Sequence, residues 1–225
     1  MSIDKFEDIC QSGLFLANAT KFDDKQEGYI AVKSTFPDLT ESNLQNVDKM
    51  KSYFYISSWY AGEDVSKSMG NIYGDICIKT SLDELKAVCK EHGVINCTHN
   101  IILGEIQYLL KPYADHGKTP NWVWDYWSEI GFNPKCGLNP ASIKTLQGLF
   151  FKDADYSHEN EVRLICDTFH GRNRGIDIES RIEGIRITLS KTFFSNVVLL
   201  NKEYKLRVNN VLKKFGYESE IEIVE

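Results

Sequence analysis

The chain has 225 residues, of which 42% are hydrophobic and 26% are charged, and its formal net charge is −6. These proportions are typical of a folded globular protein and exclude disordered, collagen-like and low-complexity chains. The acidic balance gives no global attraction to nucleic acid or to an anionic membrane. Neither a signal peptide nor a run of about 18 apolar residues is present, so we expect a cytoplasmic protein with no membrane partner.

Cysteine and histidine are scattered along the chain rather than grouped. None of the six cysteines forms a CxxC pair, and the five histidines show no spacing typical of metal ligands. In a chain this long, free cysteines act as small packing residues. We therefore predict reduced cysteines, no metal and no bound cofactor.

Apolar periodicity and turn residues predict the elements of the first part of the chain. In chain order these are a helix over residues 3–10 that stops at Gly13, a strand over 14–17, a helix over 39–51 and a buried strand over 53–60. Ser57 and Ser58 interrupt the apolar run of the last strand. A polar pair in a buried strand either hydrogen-bonds internally or faces a cleft, so both serines are candidate binding residues.

The same signals predict the elements of the second part. In chain order these are a strand over 76–80, a helix opened by a capping box at Ser81 and Glu84 and ended by Gly93, a strand over 94–97, a helix opened at Thr119 and ended by Gly131, a helix over 141–151, strands over 161–167, 182–189 and 196–200, a helix over 202–215 and a strand over 219–224. Helices and strands alternate without a regular βαβ rhythm. We therefore predict a single α+β domain over residues 1–225, with largely antiparallel sheets flanked by helices.

The segment from His158 to Cys166 carries the densest group of candidate catalytic residues. Strand periodicity places Glu159, Glu161 and Arg163 on one face, with same-face neighbours roughly 7 Å apart. At that spacing each carboxylate raises the pKa of the other, while Arg163 lowers that of Glu161. The alternative is a solvated surface with an ordinary arginine–glutamate pair.

Arginines are concentrated just downstream of this segment. Arg172 and Arg174 lie in a glycine-flanked loop over residues 170–175, where they are candidates to bind phosphate or nucleic acid. An exposed hairpin turn is the alternative. Arg163 is also a candidate to bind the substrate. Three tryptophans between Trp122 and Trp127 are candidates to stack on bases, or else to fill the core.

Several motifs resemble a bacterial and phage family known as domain of unknown function 2971. They are the opening strand and acidic turn of residues 13–28, the stretch YISSW followed by SKSMGNIYG within residues 55–74, and the element YSHENEVRL at residues 156–164, preceded by Lys152. The last of these is the most specific. The resemblance implies relatives but no activity.

A second resemblance is to the ADP-ribosyltransferase superfamily, whose members cleave the glycosidic bond of NAD. It rests on the order of an early Gly-Leu, a strand containing Ser-Ser, a helix with serine and tyrosine, and a strand opening with E-x-E. It implies an ADP-ribosyltransferase-like fold with NAD as a substrate. Residue roles carried over are Ser57 and Ser58 in the nicotinamide cleft, Tyr73 stacking on the ring, Glu161 as the catalytic glutamate and Glu159 orienting the acceptor.

These observations leave three functions open. One is an ADP-ribosyltransferase-like enzyme acting on NAD or another nucleotide in phage defence, toxicity or counter-defence. Another is a non-catalytic module that binds a protein or nucleic acid through its tryptophans and arginine loop, and the third is a hydrolase with Glu159 and Glu161 as an acid/base pair. For the enzyme we expect a cleft bounded by the serine strand, a helix bearing Ser66 and Tyr73, and a strand beginning at Glu159.

Overall fold

The structure is a computed structural model that describes residues 1–22, 49–62, 65, 70, 73–93, 100–109, 146, 148–168 and 183–224. The helices are α1 (Ile3–Ser12), α2 (Leu82–Gly93) and α3 (Lys205–Phe215), with 3-10 turns at Ala19–Lys21, Ala154–Glu159 and Lys202–Tyr204. The strands are β1 (Leu14–Asn18), β2 (Phe54–Tyr60), β3 (Ile76–Lys79), β4 (Asn100–Glu105), β5 (Gln107–Leu109), β6 (Phe151–Asp153), β7 (Glu161–Asp167), β8 (Gly184–Ile187), β9 (Asn196–Leu199) and β10 (Glu220–Ile223).

Three sheets organise these strands. The largest is antiparallel throughout, in the order β4-β7-β2-β1-β8. A second has the order β10-β9-β3, with β10 parallel to β9 and β3 antiparallel to it, and β5 pairs with β6 in parallel. The predicted α+β class with largely antiparallel sheets is therefore confirmed.

The first helix follows directly from its sequence pattern. Residues Ile3, Phe6 and Cys10 are buried on one face, as their spacing of three and four residues predicts. Ser2 caps the start, its hydroxyl accepting a hydrogen bond from the N–H of Lys5 at 3.3 Å. Gly13 ends the helix at a φ of 90°, where a side chain is strained.

Half of the capping box predicted at Ser81 and Glu84 is present: the serine caps α2, but the Glu84 carboxylate bonds Ser190 and Thr192 instead of the N–H of Ser81. The Ser81 hydroxyl accepts a hydrogen bond from the N–H of Glu84 at 3.1 Å. The carboxylate of Glu84 accepts hydrogen bonds from the hydroxyls of Ser190 and Thr192, at 3.1 and 3.0 Å. This glutamate therefore connects the helix to the turn that follows β8.

Successive side chains of β7 point alternately towards two apolar clusters, one on each face of the five-stranded sheet. Val162, Leu164 and Cys166 face a large cluster that includes buried residues of α1, α3 and the three-stranded sheet. Ile165 faces a smaller cluster that includes Phe150. Because successive strand residues point to opposite faces, Glu161 and Arg163 lie on the side of Ile165.

Some predicted elements differ from the structure. The sequence did not predict β4 or β5, and Phe151 lies in β6 rather than in a helix over 141–151. Glu159 ends a 3-10 turn, so the prediction that it shares the strand with Glu161 is wrong. The predicted strand over 94–97, the helix from Thr119 to Gly131 and most of the helix over 39–51 lie outside the described residues.

Membrane-spanning helices and clusters of metal ligands are both absent from the part of the chain that the structure describes. None of its helices has the length and apolar character needed to cross a bilayer. These residues contain no group of three or more metal-ligating side chains. Four cysteines, Cys10, Cys77, Cys89 and Cys166, are described, and each is free.

Candidate functional site

The candidate site is centred on the first residues of β7, which lies between β4 and β2. Arg163 pairs with Ser58 of β2 on one side and with Gly104 of β4 on the other. Glu161 pairs with Tyr60 at the end of β2. Directly opposed residues share a sheet face, so the register brings these five residues together.

Glu161 and Arg163 form a buried ion pair. The Nε of Arg163 lies 2.6 Å from Oε1 of Glu161, and Nη2 lies 3.1 Å from Oε2. The Nη1 atom donates to the carbonyl oxygen of Leu149 at 2.7 Å. Only 1% of the arginine side chain and 6% of the glutamate side chain are exposed. Two parallel hydrogen bonds fix the carboxylate in one orientation.

Lys152 connects the two carboxylates of this segment. Its Nζ lies 2.5 Å from Oε2 of Glu159 and 3.4 Å from Oε2 of Glu161. The ammonium also lies 4.9 Å from the centroid of the Tyr156 ring, within the range of a cation–π interaction. The side chain of Glu159 is 23% exposed and that of Lys152 is 12% exposed. Lys152 therefore holds the half-buried carboxylate of Glu159 next to the buried carboxylate of Glu161.

The short strands β5 and β6 bring Lys152 to β7. Tyr108 and Lys152 are partners in this parallel pair. The phenolic oxygen of Tyr108 accepts a hydrogen bond from the N–H of Glu161 at 2.9 Å. The N–H of Ile106, between β4 and β5, donates to the carbonyl of Glu161 at 2.9 Å. Both backbone groups of Glu161 are therefore bonded to the β4–β5 segment.

A glycine in β4 makes room for the aromatic ring that packs here. A Cβ on Gly104 would lie 2.5 Å from the ring of Phe150, closer than any ordinary contact. Phe150 is 2% exposed and directly precedes β6. The ring therefore approaches β4 at a position where only glycine fits, and this places Lys152 two residues later.

Asn160 forms the turn that separates the two carboxylates. Its φ is 39°, a left-handed conformation that asparagine tolerates better than most residues. Its Nδ2 donates to the carbonyl of Ala61 at 2.6 Å, and the N–H of Ala61 donates to the carbonyl of Asn160 at 2.7 Å. The turn is thus fixed to the residue after β2. It places Glu159 and Glu161 within reach of one lysine.

Glu161 is held in its ionised form. Burial by itself would raise its pKa. The hydrogen bonds and charge of Arg163, with a hydrogen bond from Ser58 and the charge of Lys152, more than offset burial and lower the pKa below its usual value of 4.5. The carboxylate is therefore an anion at neutral pH.

Tyr108 is held in its neutral form. Burial raises the pKa of its phenol, and the negative charges of Glu161 and Glu159 act in the same direction. The hydrogen bond from the N–H of Glu161 and the charge of Lys152 oppose this shift without cancelling it. The phenol therefore keeps its proton and serves the site as a neutral hydrogen-bonding group.

The structure brings four of the predicted site residues together and changes two of the predictions. Glu159, Glu161, Arg163 and Ser58 form one cluster, and Ser58 is exposed. Ser57 pairs with Leu164, so it lies on the opposite face of the sheet, and the expectation that both serines line one cleft is wrong. Arg163 is fully buried against protein groups, which places it behind Glu161 rather than in contact with a substrate.

The remaining predicted residues do not join this cluster. Tyr73 is 59% exposed and lies just before β3, whose sheet packs on the opposite face of the five-stranded sheet. The expected cleft between Tyr73 and Glu161 is therefore not formed by these two residues. Arg172, Arg174, Ser66 and the tryptophans from Trp122 to Trp127 lie outside the described residues.

The sequence-based prediction missed Lys152 and Tyr108. Lys152 was recognised as part of the motif before YSHENEVRL, but an isolated lysine carries no signal of its charge partners. Tyr108 lies in a strand that was not predicted. The available signal is a lysine a few residues before Glu159 and Glu161, since a cation near two carboxylates lowers the cost of burying them.

Among the described residues, the cluster joins two carboxylates, Glu159 and Glu161, with two cationic side chains, Lys152 and Arg163. Both oxygens of Glu161 are bonded within the protein, whereas Oε1 of Glu159 has no hydrogen bond from the described residues. The exposed rings of Tyr60 and Tyr156 are 44% and 39% accessible. The arrangement can offer a carboxylate, a serine hydroxyl and aromatic surface to a ligand.

No protein-family model, curated protein or solved structure matches the chain in the comparisons. The resemblances implied by the motifs therefore stay predictions.

Proposed function

We propose that the chain is an ADP-ribosyltransferase-like enzyme of the cytoplasm, acting on NAD or another nucleotide. The observation that carries this proposal is the ionised Glu161, fixed by Arg163 and hydrogen-bonded to Ser58, which is an exposed residue. Cleavage of a ribosyl bond passes through a transition state with oxocarbenium character. A carboxylate that is already oriented and charged stabilises that positive charge without further reorganisation.

The two glutamates have different roles in this proposal. Glu161 is 6% exposed and bonded on both oxygens, so it supplies a fixed negative field. Glu159 is more exposed and keeps one oxygen for a ligand, so it is the carboxylate that contacts a ribose hydroxyl or the acceptor. Lys152 holds the spacing between them.

The lowered pKa of Glu161 disfavours the form of the acid/base hydrolase in which Glu161 is the general acid. A general acid with a carboxyl group needs a raised pKa, so that it keeps its proton near neutral pH. Glu161 has the opposite shift, because Arg163 and Lys152 stabilise its anion. An ionised carboxylate suits stabilisation of a cationic transition state better than proton donation.

The test is nicotinamide release from NAD, measured by chromatography, with ATP and a protein acceptor assayed in parallel. We expect turnover by the native chain, and about a hundredfold loss in Glu159→Gln and in Glu161→Gln. Glu222→Gln is the matched control, because Glu222 also forms a lysine ion pair on a strand but lies in the other sheet. Circular dichroism verifies that each variant is folded.

Two results would remove the proposal. The first is no reaction of the folded native chain with NAD or ATP. The second is turnover that is equal in the Glu161→Gln and Glu222→Gln variants. Either would favour the non-catalytic interaction module, whose predicted arginine and tryptophan contacts lie in other segments.

A further inference from the structure

The three-stranded sheet has an edge at β10. Among the described residues, β10 has β9 as its one neighbour in the sheet. The N–H of Val224 donates to the carbonyl of Leu199 in β9 at 3.0 Å. The backbone N–H and C=O groups of successive strand residues point to opposite edges of the strand. Since those of Val224 point towards β9, the N–H and C=O groups of Ile221 and Ile223 point away from it. This edge is a template for one more strand.

A groove lined by both apolar and polar side chains borders the same edge. It has a volume of about 580 Å³ and lies between β10 and the first turns of α3, with Leu206 and Ile221 in its lining. Leu206 is 72% exposed, so its side chain is accessible to a ligand in the groove. Ile221 and Ile223 pack on the main core beneath the helix. Leu206 and Ile221 therefore give the groove an apolar part next to β10.

The charges at this edge favour a basic strand. Glu220 and Glu222 are exposed on the face of β10 opposite to its isoleucines. Glu222 is paired with Lys79 at 3.2 Å, whereas Glu220 has no ion pair with the described residues. Lys202 and Lys205 also line the groove together with Glu203, so the groove itself carries both signs. Glu220 and Glu222 therefore favour basic side chains on the face of an added strand that lies next to them.

A second copy of this chain is a poor candidate for the strand that pairs with β10. Paired residues lie on the same face of a sheet, so pairing β10 with another β10 would place glutamate opposite glutamate. Like charges directly opposite each other destabilise a strand pair. The acidic face therefore opposes self-association and favours a partner of opposite charge.

We propose that β10 binds an extended peptide segment of a partner protein, which adds as a fourth strand to the sheet. Alternate side chains of this segment are apolar and cover Leu206 and Ile221, and the others are basic and face Glu220 and Glu222. Main-chain hydrogen bonds to Ile221 and Ile223 supply affinity, and the groove supplies specificity. This surface is separate from the Glu161 cluster and does not depend on its activity.

The test uses the full chain and a fluorescent peptide in which lysine and valine alternate. We expect saturable binding by anisotropy, with protection of the amides of Ile221 and Ile223 in hydrogen exchange. Leu206→Ser is expected to weaken binding about tenfold or more, because it removes the apolar contact. Leu82→Ser is the matched control, since Leu82 is 53% exposed on α2.

The charge is tested by Glu220→Lys, which we expect to weaken binding, and by Asp83→Lys, which we expect to leave it unchanged. A peptide of the same composition with lysines and valines in separate blocks controls for simple attraction to an acidic chain. Equal binding of the two peptides, or unchanged binding by Leu206→Ser, would overturn the proposal. So would a dimer in sedimentation that Leu206→Ser dissociates, because the occupant would then be a second copy.

Discussion

Arg163 donates two hydrogen bonds to Glu161, the residue two positions before it on the same strand face, at 2.6 and 3.1 Å. Both side chains are buried, so neither charge is shared with solvent. Such a pair contributes little net stability, but removing one partner leaves an uncompensated charge. This asymmetry determines the expected behaviour of the variants.

Arg163→Met should destabilise the protein by about 3–5 kcal/mol, because it leaves the Glu161 carboxylate buried without its main partner. Urea denaturation at neutral pH measures the change. In the double variant Glu161→Met/Arg163→Met the loss should be smaller than in Arg163→Met alone. A double variant less stable than the single one would show that the pair stabilises the fold by itself.

The stability of the protein should depend on pH through the carboxyl group of Glu161. Its folded-state pKa is lowered below 4.5, so its contribution is complete above the unfolded pKa and is lost as pH falls through the folded pKa. The native chain should therefore lose stability below about pH 4.5, and Glu161→Gln should show a shallower loss over that range. Chemical denaturation across a pH series gives both curves. Parallel curves would contradict the assignment.

Lys152→Met should destabilise the protein by about 1–3 kcal/mol, because two neighbouring carboxylates lose the cation between them. Lys79→Met is the matched control. Lys79 also pairs with a glutamate from a strand, but that pair is exposed and should contribute less than about 1 kcal/mol. If the two lysine variants are equally stable in urea, Lys152 does not have the bridging role assigned to it.

Gly104→Ala should destabilise the protein by about 1–3 kcal/mol, because the new methyl group overlaps the ring of Phe150. Thermal and urea unfolding measure the loss. Adding Phe150→Leu should recover part of it, since the smaller side chain leaves space for the methyl group. If the losses of stability from the two substitutions simply add in the double variant, the two side chains do not compete for the same space.

Cys10 should be unreactive in the folded protein, because burial raises the pKa of its thiol to about 12. Alkylation with iodoacetamide at neutral pH, followed by peptide mass spectrometry, should label it only after denaturation. Rapid labelling of the native chain would contradict this. The same experiment without reductant tests the prediction that all six cysteines are reduced.

Local patterns were enough to predict much of the fold. The predicted strand over residues 161–167 coincides with β7, because alternating apolar residues and flanking turns leave few other conformations. The same alternation correctly placed Glu161 and Arg163 on one face. It also implies that the adjacent Ser57 and Ser58 face opposite sides of the sheet, as their pairing with Leu164 and Arg163 shows.

Tertiary structure decided which charges meet. Lys152 reaches Glu161 only because β6 pairs with β5, and strands of three residues carry too little periodicity to be recognised. Glu159 lies outside β7 because Asn160 adopts a left-handed turn that is fixed to Ala61 across the sheet. Sequence alternation by itself determined the face of β7 that carries Glu161, since that depends on neighbours along the chain. The partners that keep this glutamate charged come from other strands, so only the folded chain could bring them to it.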